Sequence, residues 1–211
     1  MTTTAESGED ARILRSRDAM RAALLGLLAA GADYSSISVS DLARRAGVTR
    51  KTFYAHYDSV DAVVSAMARD LFAGGVAALD DAALLLPLGR GFLGQAIFRR
   101  LALDVETVAP LVLKCPGALF LEPAVTVMRD DLLPRLRAVN GIGPPGGFEQ
   151  AYLFRMAGAV LHAALFSWAS RSFEDSPDTV AALVMEVLAP VADRILLGGR
   201  EAGSGEVVVN D

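Results

Sequence analysis

Two cations, Arg50 and Lys51, sit in the run Thr49-Arg50-Lys51-Thr52-Phe53-Tyr54-Ala55-His56, which contains no acid. Wound as a helix, the run turns Phe53 inward and leaves Thr49, Arg50, Lys51, Thr52, Tyr54, Ala55 and His56 outside. Such a face offers hydrogen-bond donors and positive charge, which is the chemistry that holds a polyanion. Arg50 has the reach and the fork to engage guanine edges, while Thr49, Tyr54 and His56 suit phosphate oxygens. At 1.5 Å per residue the element is about 12 Å long, matching the width of the DNA major groove. Arg44 and Arg45, one element earlier, are flanking candidates for phosphate, and Ser38 at the start of that element is placed with them. The ordinary alternative for each of these charges is a solvated helix face.

Short helices need support from outside themselves, because nucleation is costly over so few residues. Three elements supply it. Ile13, Met20, Leu24, Leu27 and Leu28 mark one face of a helix of about 20 residues that Gly31 ends. Ser38-x-x-Asp41 then reads as a capping-box variant opening a two-turn helix with Val39, Leu42, Ala43 and Ala46 inward. Gly47 stops it by permitting a positive φ, Val48 plugs the gap, and Thr49 caps the next helix. Ser59 caps a longer helix with Val60, Val63, Val64, Met67 and Leu71 on its apolar face. The arrangement is a helix-turn-helix braced by the helix before it.

The residues Asp41-Leu42-Ala43-x-x-Ala46-Gly47-Val48-Thr49, followed by Thr52-Phe53-Tyr54-x-His56-Tyr57, resemble the DNA-binding region of the TetR family of bacterial transcriptional regulators. The likeness covers roughly residues 11–70, about a third of the chain. One position departs from it: Val60 stands where the family commonly carries a lysine that touches phosphate. The resemblance implies a homodimer that binds a palindromic operator and is released by a small-molecule effector.

Charge is distributed accordingly. Residues 11–70 carry nine basic side chains against six acids, a balance of +3, while residues 71–211 balance at −5. A positive front end on an acidic body suggests a nucleic-acid module attached to something else. Apolar residues make up 53% of the chain, which excludes disorder of the whole. No apolar run reaches the length of a membrane span, so no membrane partner is expected. The first ten residues lack the pattern of a secretory signal, and a single cysteine, Cys115, allows no internal disulfide; the cytoplasm is the expected compartment.

Catalysis is not expected, since no nucleophile motif is visible and His56, His162 and Cys115 are scattered rather than clustered as metal ligands. No cofactor is expected either. Gly89-Arg90-Gly91-Phe92-Leu93-Gly94 and Gly141-Ile142-Gly143-Pro144-Pro145-Gly146 satisfy dinucleotide-binding spacing literally, but neither follows a strand. They read as breaks between helices, as do Cys115-Pro116-Gly117 and Glu122-Pro123.

The expected fold is all-α. It comprises tails at 1–10 and 198–211, a three-helix helix-turn-helix domain at 11–58, a connecting helix at 59–79, and a helical ligand-binding and dimerisation domain at 80–197. Two long helices after residue 147 are apolar on more than one face, so one side should meet a second copy. Ala159, Ala163, Phe166, Val184, Leu188 and Val191 are candidates for that interface. Phe92, Phe98, Cys115, Phe120 and Met128 would line a largely apolar ligand cavity, with Arg155, His162 and Trp168 as polar handles. Gly74-Gly75 marks the connecting helix as a lever that bends. Competing readings are a helical dimer that serves a protein partner and a helical carrier or enzyme. The acid-free face opposes the first and the missing ligand or nucleophile set the second.

Overall fold

Hydroxyl side chains start the N-terminal helices. A computed structural model describes residues 3–88, 92–142 and 148–197, which form ten α-helices and no strand among the described residues. Helix α1 (Thr3–Ala29) begins well ahead of the expected start and runs into the segment read as a tail. Ser38 opens α2 (Val39–Arg45) by accepting from the Asp41 amide, and Thr49 opens α3 (Arg50–Tyr54) by accepting from the Thr52 amide. Ser59 does the same for α4 (Val60–Ala77) at the Ala62 amide. Each such cap contributes about 1 kcal/mol. Gly47 lies between α2 and α3 at φ +67°, a conformation that a side chain would strain.

These short pieces share one core. Met20, Leu24 and Leu28 of α1 meet Leu42, Ala43, Phe53, Tyr57, Val63 and Val64, all buried. Leu27 is half-buried, and Ile13, expected on the same face, is exposed along with the residues on either side of it.

The body consists of α5 (Phe92–Ala102), α6 (Val105–Lys114), α7 (Ala118–Val127), α8 (Leu133–Asn140), α9 (Phe148–Ser170) and α10 (Pro177–Leu197). Helix α4 runs from the N-terminal module into it and packs most extensively on α7. In turn α9 lies against α6, α7 and α10, and α10 against α5. A wider turn, Met128–Leu132, joins α7 to α8 with hydrogen bonds that span five residues.

Pro123 was expected to break the chain, yet it sits inside α7. Proline cannot donate to the carbonyl four residues back, here Leu119. The Ser65 hydroxyl of α4 donates to that carbonyl instead, at 3.3 Å, so a donor from the neighbouring helix replaces the missing one. Of the two glycine patterns, 89–91 and 143–147 lie outside the described residues, as does the expected tail at 198–211. Among the described residues no helix is long and apolar enough to cross a membrane, and no three His, Cys, Asp or Glu side chains are grouped to hold a metal ion.

Candidate nucleic-acid interface and internal cavity

Helix α3 buries Phe53 completely and turns its other side chains outward. Thr49, Arg50, Lys51, Tyr54 and Ala55 are exposed, and Thr52 and His56 are half-exposed. The Arg50 guanidinium lies 6.0 Å from the centre of the Tyr54 ring, a cation–π contact that preorganises both side chains on one surface. Thr49 and Thr52 hydroxyls stand 2.9 Å apart, and the Thr49 oxygen already accepts from the Thr52 amide. Only one of the two hydroxyl protons is needed for their mutual bond, so the other remains to donate outward.

The flanking residues divide. Ser38 donates to Asp41 at 2.6 Å while capping α2, which commits its hydroxyl within the chain. Arg44 pairs with Asp41 at 3.2 Å but stays highly exposed. Hydrogen bonds from Ser38, and then from Arg44, hold the Asp41 carboxyl below the usual carboxylate range. Arg45 folds back over α1, where its guanidinium would lie 3.2 Å from a methyl group placed on Gly26. Val60 packs at the edge of the core at the first turn of α4, with most of its side chain buried.

Polar contacts fix this module on α4. Arg21 pairs with Asp70 at 2.6 Å and donates to the Tyr57 hydroxyl at 3.2 Å. The Tyr34 hydroxyl donates to Asp61 of α4. Burial, then that carboxylate, pushes the Tyr34 phenol up. Orientation of α3 is thus tied to the same helix that enters the body.

At the far end of α4 lies a cavity of about 120 Å³. Phe72 and Val76 form its α4 wall, Leu93, Ile97 and Phe98 its α5 wall, and Met128, Leu132, Leu133 and Leu136 its floor along the wider turn and α8. Leu153, Phe154, Ala157 and Leu161 of α9 and Val184, Met185 and Leu188 of α10 close the other side. Arg135 of α8 donates to the Val76 and Leu79 carbonyls, both at 2.7 Å, and so caps the C-terminal end of α4. Sequence reading missed Phe72, Val76 and Arg135. The spacing of Phe72 and Val76 continues the apolar stripe of α4, whereas nothing local marks Arg135.

Only Phe98 and Met128 of the eight expected pocket residues line this cavity. Phe92 is exposed on the outside of α5. Arg155 pairs with Glu122 at the surface at 2.7 Å. Trp168 is buried, donates to the Asp175 carbonyl at 2.9 Å, and packs behind the wall residue Phe98, its ring centre 5.8 Å away. Phe120 and His162 pack on each other outside the cavity, and Cys115 is buried within electrostatic reach of Asp61 of α4. Burial, then Asp61, pushes the Cys115 thiol up to about 12, the level of an inert buried cysteine. His162 lies 4.9 Å from Phe120, and its ring fits because Gly117 lacks a Cβ, which would stand 2.7 Å from it. Burial lowers the His162 pKa.

The residues expected at an interface between copies also divide. Ala159, Ala163 and Phe166 face outward on α9, whereas Val184 and Leu188 line the cavity and Val191 is half-buried. Helix α10 instead exposes Leu183 and Val187, and α9 adds Tyr152 and Met156. A 3.6-residue period identifies faces but not which of two apolar faces turns inward.

Residues 28–67 match the family described as "Bacterial regulatory proteins, tetR family". A stretch of 58 residues is 38% identical to an uncharacterized HTH-type transcriptional regulator, YxbF, of Bacillus subtilis (strain 168). That stretch is 28% of this chain and spans only 15% of the relative's length. The fold of the whole is similar to a TetR transcriptional regulator from Streptococcus agalactiae 2603V, with a TM-score of 0.56, 21% identity, and 87% of this chain and 98% of that one covered. It is also similar to the fatty acid degradation regulator FadR from Bacillus halodurans, with a TM-score of 0.50, 17% identity, and 82% and 94% covered. Residues 28–67 are thus a helix-turn-helix segment similar to that of the tetR family of bacterial regulatory proteins, and the helical body behind it shares the fold of the solved structures.

Proposed function

We propose that the protein is a homodimeric regulator that binds a palindromic DNA operator through α3 and is released by a small, largely apolar effector held in the body. The observation that carries the reading is the exposed, acid-free face from Thr49 to His56, set on a helix short enough to enter a major groove. Arg50 reads base edges, and Lys51, Tyr54, His56 and the free Thr49 or Thr52 proton hold phosphates. Arg44 adds a flanking phosphate contact, while Ser38 and Arg45 act by holding α2 in place. Two copies meet through the exposed apolar residues of α9 and α10, Met156, Phe166, Leu183 and Val187 among them; a palindromic operator requires their two α3 helices to lie one DNA turn apart. An effector in the cavity presses on Phe72 and Val76, and α4 carries the change to α3. Its power to release DNA equals its differential affinity for the two states.

Fluorescence anisotropy with duplex DNA from upstream of the coding sequence tests this. With about four phosphate contacts per half-site, log K falls against log[salt] with a slope near −7. Arg50→Ala relaxes sequence preference, with a loss of about 1–3 kcal/mol on the preferred site and little on random DNA. A flat salt response would remove the DNA-binding reading.

A further inference from the structure

The expected handles Arg155, His162 and Trp168 all lie outside the cavity, and every described residue of its wall is apolar. We propose that this cavity is a site for an uncharged hydrocarbon of about one ring's size, with no acid, amine or phosphate group. This deepens, and rests on, the effector reading above.

Three observations converge. The first is the wall itself. A buried charge needs a partner, and a carboxylate or ammonium placed against Phe72, Leu133, Leu153 and Val184 has none among the described residues. Water gains nothing there either, because a bound water needs at least two polar partners, so the cavity stays dry and open to an apolar guest. The second is size. At about 120 Å³ the space is close to that of an engineered apolar cavity of about 150 Å³ in another protein that takes up benzene. The third is adaptability. Met128 and Met185 contribute thioethers to the wall, and Met185 lies where a Cβ on Gly94 would stand 2.6 Å from its Cγ. Unbranched methionine side chains reshape readily around a guest, and their sulfurs make favourable contacts with ring edges.

Thermal unfolding of the full chain with matched pairs of probes provides the test: toluene against benzoate, and cyclohexane against cyclohexanecarboxylate. Each hydrocarbon, at about tenfold excess over its dissociation constant, raises the midpoint by roughly 3–5 °C. The matching acids bind at least about 100-fold more weakly and leave the midpoint unchanged at that concentration. Ala157→Leu, which fills the space, abolishes the hydrocarbon shift. Should that variant fail to fold, Val184→Thr keeps the wall's shape but adds a hydroxyl, and it reduces the shift. Equal or larger shifts with the acids would overturn the proposal, as would hydrocarbon shifts untouched by both variants. The anisotropy assay, run with the same probes, separates the two readings. Hydrocarbons that stabilise the protein without moving DNA affinity leave the site assigned and sink the effector role. Acids that release DNA while hydrocarbons do not bind sink the hydrocarbon site and leave the effector role standing.

Discussion

The N-terminal module and the body behind it both contribute to one buried cluster but are specified differently. Around α3 the decisive features are local: a hydroxyl three residues from the amide it caps, and a glycine at a positive φ in the turn before it. Around the cavity they are remote, since Phe72, Met128, Leu153 and Met185 meet from four parts of the chain. A surface that reads a ligand can be written in consecutive residues. A void must be written by everything that fails to fill it.

The sharpest way to break this contrast is in the module's core. Phe53→Ala removes the fully buried anchor of α3 and should cost about 3–5 kcal/mol in chemical denaturation, abolishing DNA binding with it. If the loss were under about 1 kcal/mol, α3 would not depend on that anchor. Next comes the join between the regions. Arg135→Met deletes two charge-assisted bonds to the end of α4 and should lower stability by about 1–3 kcal/mol. Arg135→Lys restores this only in part, because an ammonium lacks the fork that spans both carbonyls. Full rescue by lysine would show that charge alone suffices.

A smaller effect is expected at Gly74 and Gly75. A methyl group there meets Arg100 at 3.8 Å and Ile97 at 3.4 Å, both ordinary contacts. The double change to alanine should therefore stabilise the protein by about 1–2 kcal/mol. It should also blunt the effector response while unliganded DNA affinity stays nearly constant. Joint loss of both responses would count against α4 as the lever.

The smallest effect is a pH dependence. Burial lowers the His162 pKa in the native state below its unfolded value near 6.5. Above that pH both states are neutral. As pH falls through 6.5 the unfolded chain takes a proton that the native site resists, so stability declines towards the native pKa. His162→Phe should lose less stability than the parent between pH 7.5 and pH 5 in parallel unfolding experiments. Identical declines would mean the histidine titrates as if free.

Sequence reading succeeded where one residue's chemistry decides. Ser38, Thr49 and Ser59 cap helices, Gly47 turns the chain, and Phe53 points inward, each for a reason contained within four residues. It went astray where a distant partner decides. Pro123 continues a helix because Ser65, on another element, supplies a donor. Val184 and Leu188 look no different from Leu183 and Val187 as side chains, and the packing of α10 on α5 and α9 sends the first pair inward. Val60 shows the same limit: its place in the likeness suggests a missing cation, and its burial shows a residue doing core work.

The capped end of α4 has a reciprocal meaning. Val76 gives its side chain to the cavity wall and its carbonyl to Arg135, so on the proposed reading a guest in the cavity and a duplex against α3 would act on the same helix. Whatever factor the first imposes on the dissociation constant of the second, the second must impose on the first. Saturating the protein with duplex should therefore loosen its hold on toluene by the same factor by which toluene loosens its hold on DNA, a symmetry measurable by calorimetry from either direction.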